Sequence, residues 1–78
     1  MNKTFYTQKR PITVKINNDT IDFHFKNEND RQFYTIPKDE WISDRSNRLE
    51  RKDNWHSHMT EKTWFTSDMK LFIDSNVK

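Results

Sequence analysis

Two short runs of alternating residues constrain this chain more than any other feature. Ile12, Val14 and Ile16 are separated by polar residues, and so are Ile21, Phe23 and Phe25. That period of two is the mark of half-buried β-strands, because successive side chains of a strand point to opposite faces. Between the runs lies Asn17-Asn18-Asp19-Thr20. A two-residue turn at Asn18 and Asp19 sets Ile16 against Ile21, Val14 against Phe23 and Ile12 against Phe25, so that one register gathers all six apolar side chains on one face. A slip of one residue would turn a whole strand's apolar set to water. The chain contains no glycine, so such a turn relies on the tolerance of Asn and Asp for positive φ.

After a polar turn at Asn27-Glu28-Asn29-Asp30, the run Gln32 to Ile36 reads as a third strand, with either Phe33 or Tyr34 facing the core. Pro37 suits the first turn of a helix, and Pro37 to Ile42 reads as one short helical turn. Ser43 to Arg48 has no apolar residue and reads as a loop or a frayed helix start. Leu49, Trp55, Met59 and Lys62 then fall near one helical face. Thr66 or Ser67 caps a last helix in which Met69, Phe72 and Ile73 follow the i, i+3, i+4 rule. The expectation is a single α+β domain: residues 1 to 10 a flexible arm, 11 to 36 a three-stranded antiparallel sheet, and 37 to 78 two or three short helices packing it.

A chain of 78 residues buries too little surface for two cores. Only 31% of its residues are hydrophobic while 14% are aromatic, so the core rests on a few large rings. The absence of cysteine excludes disulfides and thiolate chemistry. The longest apolar stretch is Leu71-Phe72-Ile73, far short of a membrane span, and a soluble, cytoplasmic protein is expected. No enzyme is expected either. Adjacent Asp39 and Glu40 read as first-turn acids, Asp53 and His56 supply no nucleophile with an oriented base, and without glycine the usual phosphate-cradling loops are missing. His56 and His58 lie about 200° apart around a helix, and His24 falls on the outward face of its strand. All three histidines therefore read as surface residues, with no metal and no cofactor.

The charges are uneven although the net charge is only +2. Lys3, Lys9, Arg10 and Lys15 precede any acid, and Arg45, Arg48, Arg51 and Lys52 face the single Glu50. These eight bases would form the contact surface of a nucleic-acid-binding accessory protein, which is the alternative function. The leading reading comes from the rings. A core that already takes the six strand residues, Phe33 or Tyr34, Met69, Phe72 and Ile73 cannot hide three indoles as well, and exposed Trp, Tyr and Arg dominate protein interfaces. Trp41, beside the basic loop, is the expected exposed ring. The expected partner-binding surface is Trp41, Arg45, Arg48 and Arg51 with Trp55.

The segment from Trp55 to Thr66, with its His58-Met59 pair, Lys62 and Trp64-Phe65-Thr66 run, followed by Asp68-Met69, resembles the tail of short accessory proteins carried by phages and prophages. An AT-rich gene, which the lack of glycine and alanine suggests, agrees with such an origin. The resemblance implies a phage or mobile-element accessory protein and no particular activity; joined to the small size, the lack of catalytic parts and the surplus of rings, the expectation is a non-enzymatic protein that docks on a host or defence protein and blocks it, a role that an anti-CRISPR inhibitor would fit. It carries over no functional residue. An unpaired strand edge, at Phe5 to Gln8 or on the third strand, would also allow a homodimer.

Overall fold

The computed structural model describes residues 1–8, 10–47 and 54–77, and for Ser46 and Asn47 the backbone only. Four strands run in the order β1 (Asn2–Tyr6), β2 (Pro11–Ile16), β3 (Thr20–Phe25) and β4 (Arg31–Pro37). Three helices follow: α1 (Lys38–Asn47), α2 (Trp55–Thr60) and α3 (Ser67–Asn76). The strands form one antiparallel meander in which each pairs with its neighbour in sequence.

The central hairpin adopts the register that the alternation predicts, with Ile12 opposite Phe25, Val14 opposite Phe23 and Ile16 opposite Ile21. Asn17 donates its backbone N–H to the Thr20 carbonyl and closes the turn. Positive φ is used elsewhere. Asn29 and Asp30, in the β3–β4 connection, stand at 58° and 56°, whereas Asn18 and Asp19 stay at negative φ.

The sheet has four strands rather than the expected three. The segment assigned to an arm supplies the extra one: Lys3 pairs with Val14 and Phe5 with Ile12, so both join the apolar side of the sheet. The Thr4 and Thr13 hydroxyls hydrogen-bond at 2.9 Å on the other side.

β4 also departs from simple alternation. Phe23 pairs with Tyr34 but His24 pairs with Gln32, which leaves Phe33 as the extra residue of a bulge. The bulge lets consecutive rings share one face, so the choice between Phe33 and Tyr34 resolves to both. Phe33 stacks on Phe25 at 3.8 Å, and Tyr34 meets Phe23 edge-on at 6.2 Å. Pro37 closes β4 opposite Thr20 instead of opening the helix, and α1 continues to Asn47, well past the single turn expected. Asp39 and Glu40 occupy its first turn as anticipated.

The helices cover the apolar face. Ile12, Val14, Ile21, Phe23 and Ile36 from the sheet are sealed by Trp41 of α1, Met59 of α2 and Met69 and Ile73 of α3, all at 1% exposure or less. Asn54 caps α2 by accepting from the Ser57 amide, and Thr66 caps α3 by accepting from the Met69 amide. Trp64 and Phe65, between α2 and α3, pack edge-on against Phe23 at 5.1 and 5.9 Å. No helix among the described residues is long and apolar enough to cross a membrane.

Candidate functional site: the β1 edge and its groove

Trp41 is not the exposed ring. It is fully buried, its indole N–H donates to the Asp74 carboxylate at 3.0 Å, and its ring lies 3.8 Å from that of His56. α1 starts directly after β4 and packs against β3, β4 and α2, which turns this first-turn residue into the core.

Asp74 also receives Lys70 at 2.7 Å and has Arg45 at 3.9 Å, and its backbone carbonyl accepts from Arg45. Burial pushes the Asp74 carboxyl up, but the hydrogen bonds from Lys70 and Trp41 and the two nearby cations outweigh it, so its pKa lies below the usual value.

Of the expected contact residues, the structure removes Trp41 from the surface. Trp41 is core, and Arg45 leans toward α3. Trp55 is half-buried, with its indole N–H on Glu40 and its ring against Tyr34. Arg48 and Arg51 lie outside the described residues. Among the bases of the alternative surface, Arg10 pairs with Glu28, Lys15 with Asp30 at 2.7 Å, and Lys3 lies over the Phe5 ring at 5.3 Å. The hydrogen bond from Lys15 holds the Asp30 carboxyl below its ordinary pKa. Lys9 and Lys52 lie outside the described residues.

His56, expected at the surface, is 6% exposed. α2 is turned so that His56 and Met59 face inward. The His56 Nε2 lies 3.0 Å from the Trp41 carbonyl, and because a carbonyl only accepts, Nε2 carries the proton and Nδ1 keeps a lone pair. Nδ1 is buried without a hydrogen-bond partner among the described residues, as is the Asn54 side-chain amide nitrogen. Burial is the main cause that lowers the His56 pKa, against the opposing pull of the Trp41 carbonyl, Asp74 and Asp44. His24 lies on the open side of the sheet, where its Nδ1 meets the Asp30 carbonyl at 2.7 Å. Among the described residues no three His, Asp or Glu are grouped to hold a metal ion.

A different surface gathers the features of a contact site. β1 is an edge strand. Met1 and Ile16 exchange both backbone hydrogen bonds, which fixes the phase of the β1–β2 ladder: Lys3 and Phe5 turn their N–H and C=O groups toward β2, and Asn2, Thr4 and Tyr6 turn theirs away. No described residue hydrogen-bonds to those outward groups. Beside this edge an open groove of about 600 Å³ runs between β1 and α3, lined by Lys3, Phe5 and Tyr6 and by Asp68, Leu71 and Phe72 among others. The Phe5 and Phe72 rings meet edge-on at 5.8 Å.

Of the three large exposed hydrophobics among the described residues, Tyr6 at 77% and Leu71 at 65% line the groove, while Met1 at 68% precedes β1 at its other end. The opposite edge is blunted. β4 carries a bulge, ends in Pro37 and starts with Arg31, all devices that discourage further pairing. In the sequence Lys3 stands out as a base, Phe5 to Gln8 as a candidate pairing edge and Phe72 as part of the apolar face of the last helix. Nothing joins them into one site, because the helical pattern of α3 assigns residues to a face but not to a neighbouring strand. Comparison of the chain with protein-family models, curated proteins and solved structures returns no match.

Proposed function

We propose that this chain is a non-enzymatic binding protein of phage or mobile-element type that docks on a host or defence protein, in the manner of an anti-defence inhibitor, and that it does so through the β1 edge and the groove beside it. The single observation that carries the docking surface is the coincidence of outward backbone groups at Asn2, Thr4 and Tyr6, which no described residue pairs, with the exposed apolar residues Tyr6 and Leu71. An exposed strand edge offers a row of directional hydrogen bonds, and neighbouring apolar surface supplies the burial that makes them count. The phage origin is supported only by the resemblance of the Trp55 to Thr66 segment and by the composition. Nucleic acid binding is the weaker reading, because Arg10, Lys15 and Arg45 each have a carboxylate within ion-pair distance, which leaves less charge to displace counterions.

The test is a pull-down from the presumed host lysate with the tag at the C-terminus, with and without nuclease, at low and moderate salt. One stoichiometric protein that survives nuclease and salt and is lost with Thr4→Pro is the expected result. A partner that Thr4→Pro still captures would refute the docking surface. Nucleic acid that elutes at low salt and disappears at moderate salt would replace the protein-binding reading.

A further inference from the structure

We infer that in the absence of any other partner the β1 edge pairs with the β1 edge of a second copy of this chain, so that the free protein is a weak two-fold dimer whose opening regulates access to the docking surface. The inference rests on the edge reading above but makes its own claim about the occupant.

The register is self-complementary. The outward-facing groups belong to Asn2, Thr4 and Tyr6, which are symmetric about Thr4. An antiparallel pairing around a two-fold axis at Thr4 sets Thr4 against Thr4 of the copy and Asn2 against Tyr6 of the copy, and it satisfies all three residues in both chains at once. In that register Lys3 stands opposite Phe5 of the copy. Within one chain the Lys3 ammonium already lies over the Phe5 ring at 5.3 Å, and in the pair it has Phe5 of the copy as a second acceptor, so each ring keeps one cation.

Charge does not oppose the approach. The groove holds one base, Lys3, and one acid, Asp68, so two such edges meet without a net like-charge clash. The continuous eight-stranded sheet that results has its two ends at β4, the edge already blunted by the bulge and Pro37, so pairing stops at two copies. Tyr6 and Leu71, at 77% and 65% exposure, become flanking contacts. A single strand pair with these side chains falls in the small-interface class, below about 1,200 Å² in total. The dimer is therefore weak and concentration-dependent, which leaves the edge open to a stronger partner.

Sedimentation velocity of the untagged chain across micromolar to millimolar concentration tests this. The expected result is a shift from monomer to dimer, at least tenfold weaker in Thr4→Pro, which removes the central outward N–H, and in Leu71→Glu, which changes an exposed position and leaves the fold in place. Isotope-filtered NMR on mixed labelled and unlabelled chains is expected to show contacts between Lys3 and Phe5 of different copies. A monomer at millimolar concentration overturns the inference, and so does a dimer indifferent to both variants. Should the dimer fail while a Thr4-dependent partner is still captured from lysate, self-pairing falls and the docking reading stands.

Discussion

Replacing Trp41 by alanine should remove a large fraction of the stability of this domain. At about 0.05–0.15 kcal/mol per residue, a chain of 78 residues has roughly 4–12 kcal/mol in total. Trp41 is fully buried between the sheet, His56 and α3, and truncating a buried aromatic side chain costs about 3–5 kcal/mol through lost transfer energy and the cavity left behind. The Asp74 carboxylate loses one donor but keeps Lys70 at 2.7 Å, so the missing hydrogen bond contributes only about 1 kcal/mol within that range. Trp41→Phe separates the two effects, since it keeps most of the ring and drops the indole N–H, and it should cost about 1–2 kcal/mol. Urea titration followed by far-ultraviolet circular dichroism reads both values at unchanged slope. Half-buried Trp55 provides the contrast, with an expected loss for Trp55→Ala below that for Trp41→Ala. A Trp41→Ala protein within about 0.5 kcal/mol of the parent, the scale of a plain surface substitution, would refute the burial of this indole and return it to the candidate contact residues.

Acid should weaken the fold in two separable steps. The His56 pKa is lowered by burial, so the folded state binds fewer protons than the unfolded chain; stability is full above the ordinary imidazole value of 6.5 and falls as pH drops below it. His56→Gln, which preserves a donor to the Trp41 carbonyl, should flatten that limb in thermal melts across this range, and an unchanged slope would contradict the assignment. Asp74 acts lower: its depressed pKa gives stability that is present above 3.8 and lost below it, a loss that Asp74→Asn should remove. At Asn29, held at φ 58°, Gly should be about 1 kcal/mol more stable than Ala by chemical denaturation, because Ala meets the left-handed steric penalty and Gly does not. Thr66→Ala, which deletes the cap on the Met69 amide, should cost about 1 kcal/mol in the same assay.

The central hairpin was legible because its signal is local and redundant, with three apolar pairs agreeing on one register. β1 was not, since Lys3-Thr4-Phe5-Tyr6 offers only Phe5 to the core, and its partner strand supplies the rest of the evidence. Trp41 was misplaced for a related reason. Its hydrogen-bond acceptor lies 33 residues away, and no pattern within α1 announces it. The bulge at Phe33 hid in the same way: period two sends Phe33 and Tyr34 to opposite faces, and only the mismatch between two strands lets both point inward. The candidate site combined two such nonlocal facts, an edge with no further strand and a helix lying alongside it, so the sequence hinted at an edge and was silent about the groove.

The one-two-three-four strand order has a kinetic consequence. β2, β3 and β4 each pair with the strand immediately upstream, so during synthesis from the N-terminus the meander has only short loops to close, which is the topology of rapid assembly. The lid comes last. Trp64, Phe65, Met69 and Ile73 cover Phe23 and its neighbours, yet all of them lie beyond the sheet in the chain. A sheet that forms ahead of α3 carries its apolar face uncovered, and the speed with which α3 arrives then sets how long that face is available to a chaperone or to a neighbouring chain.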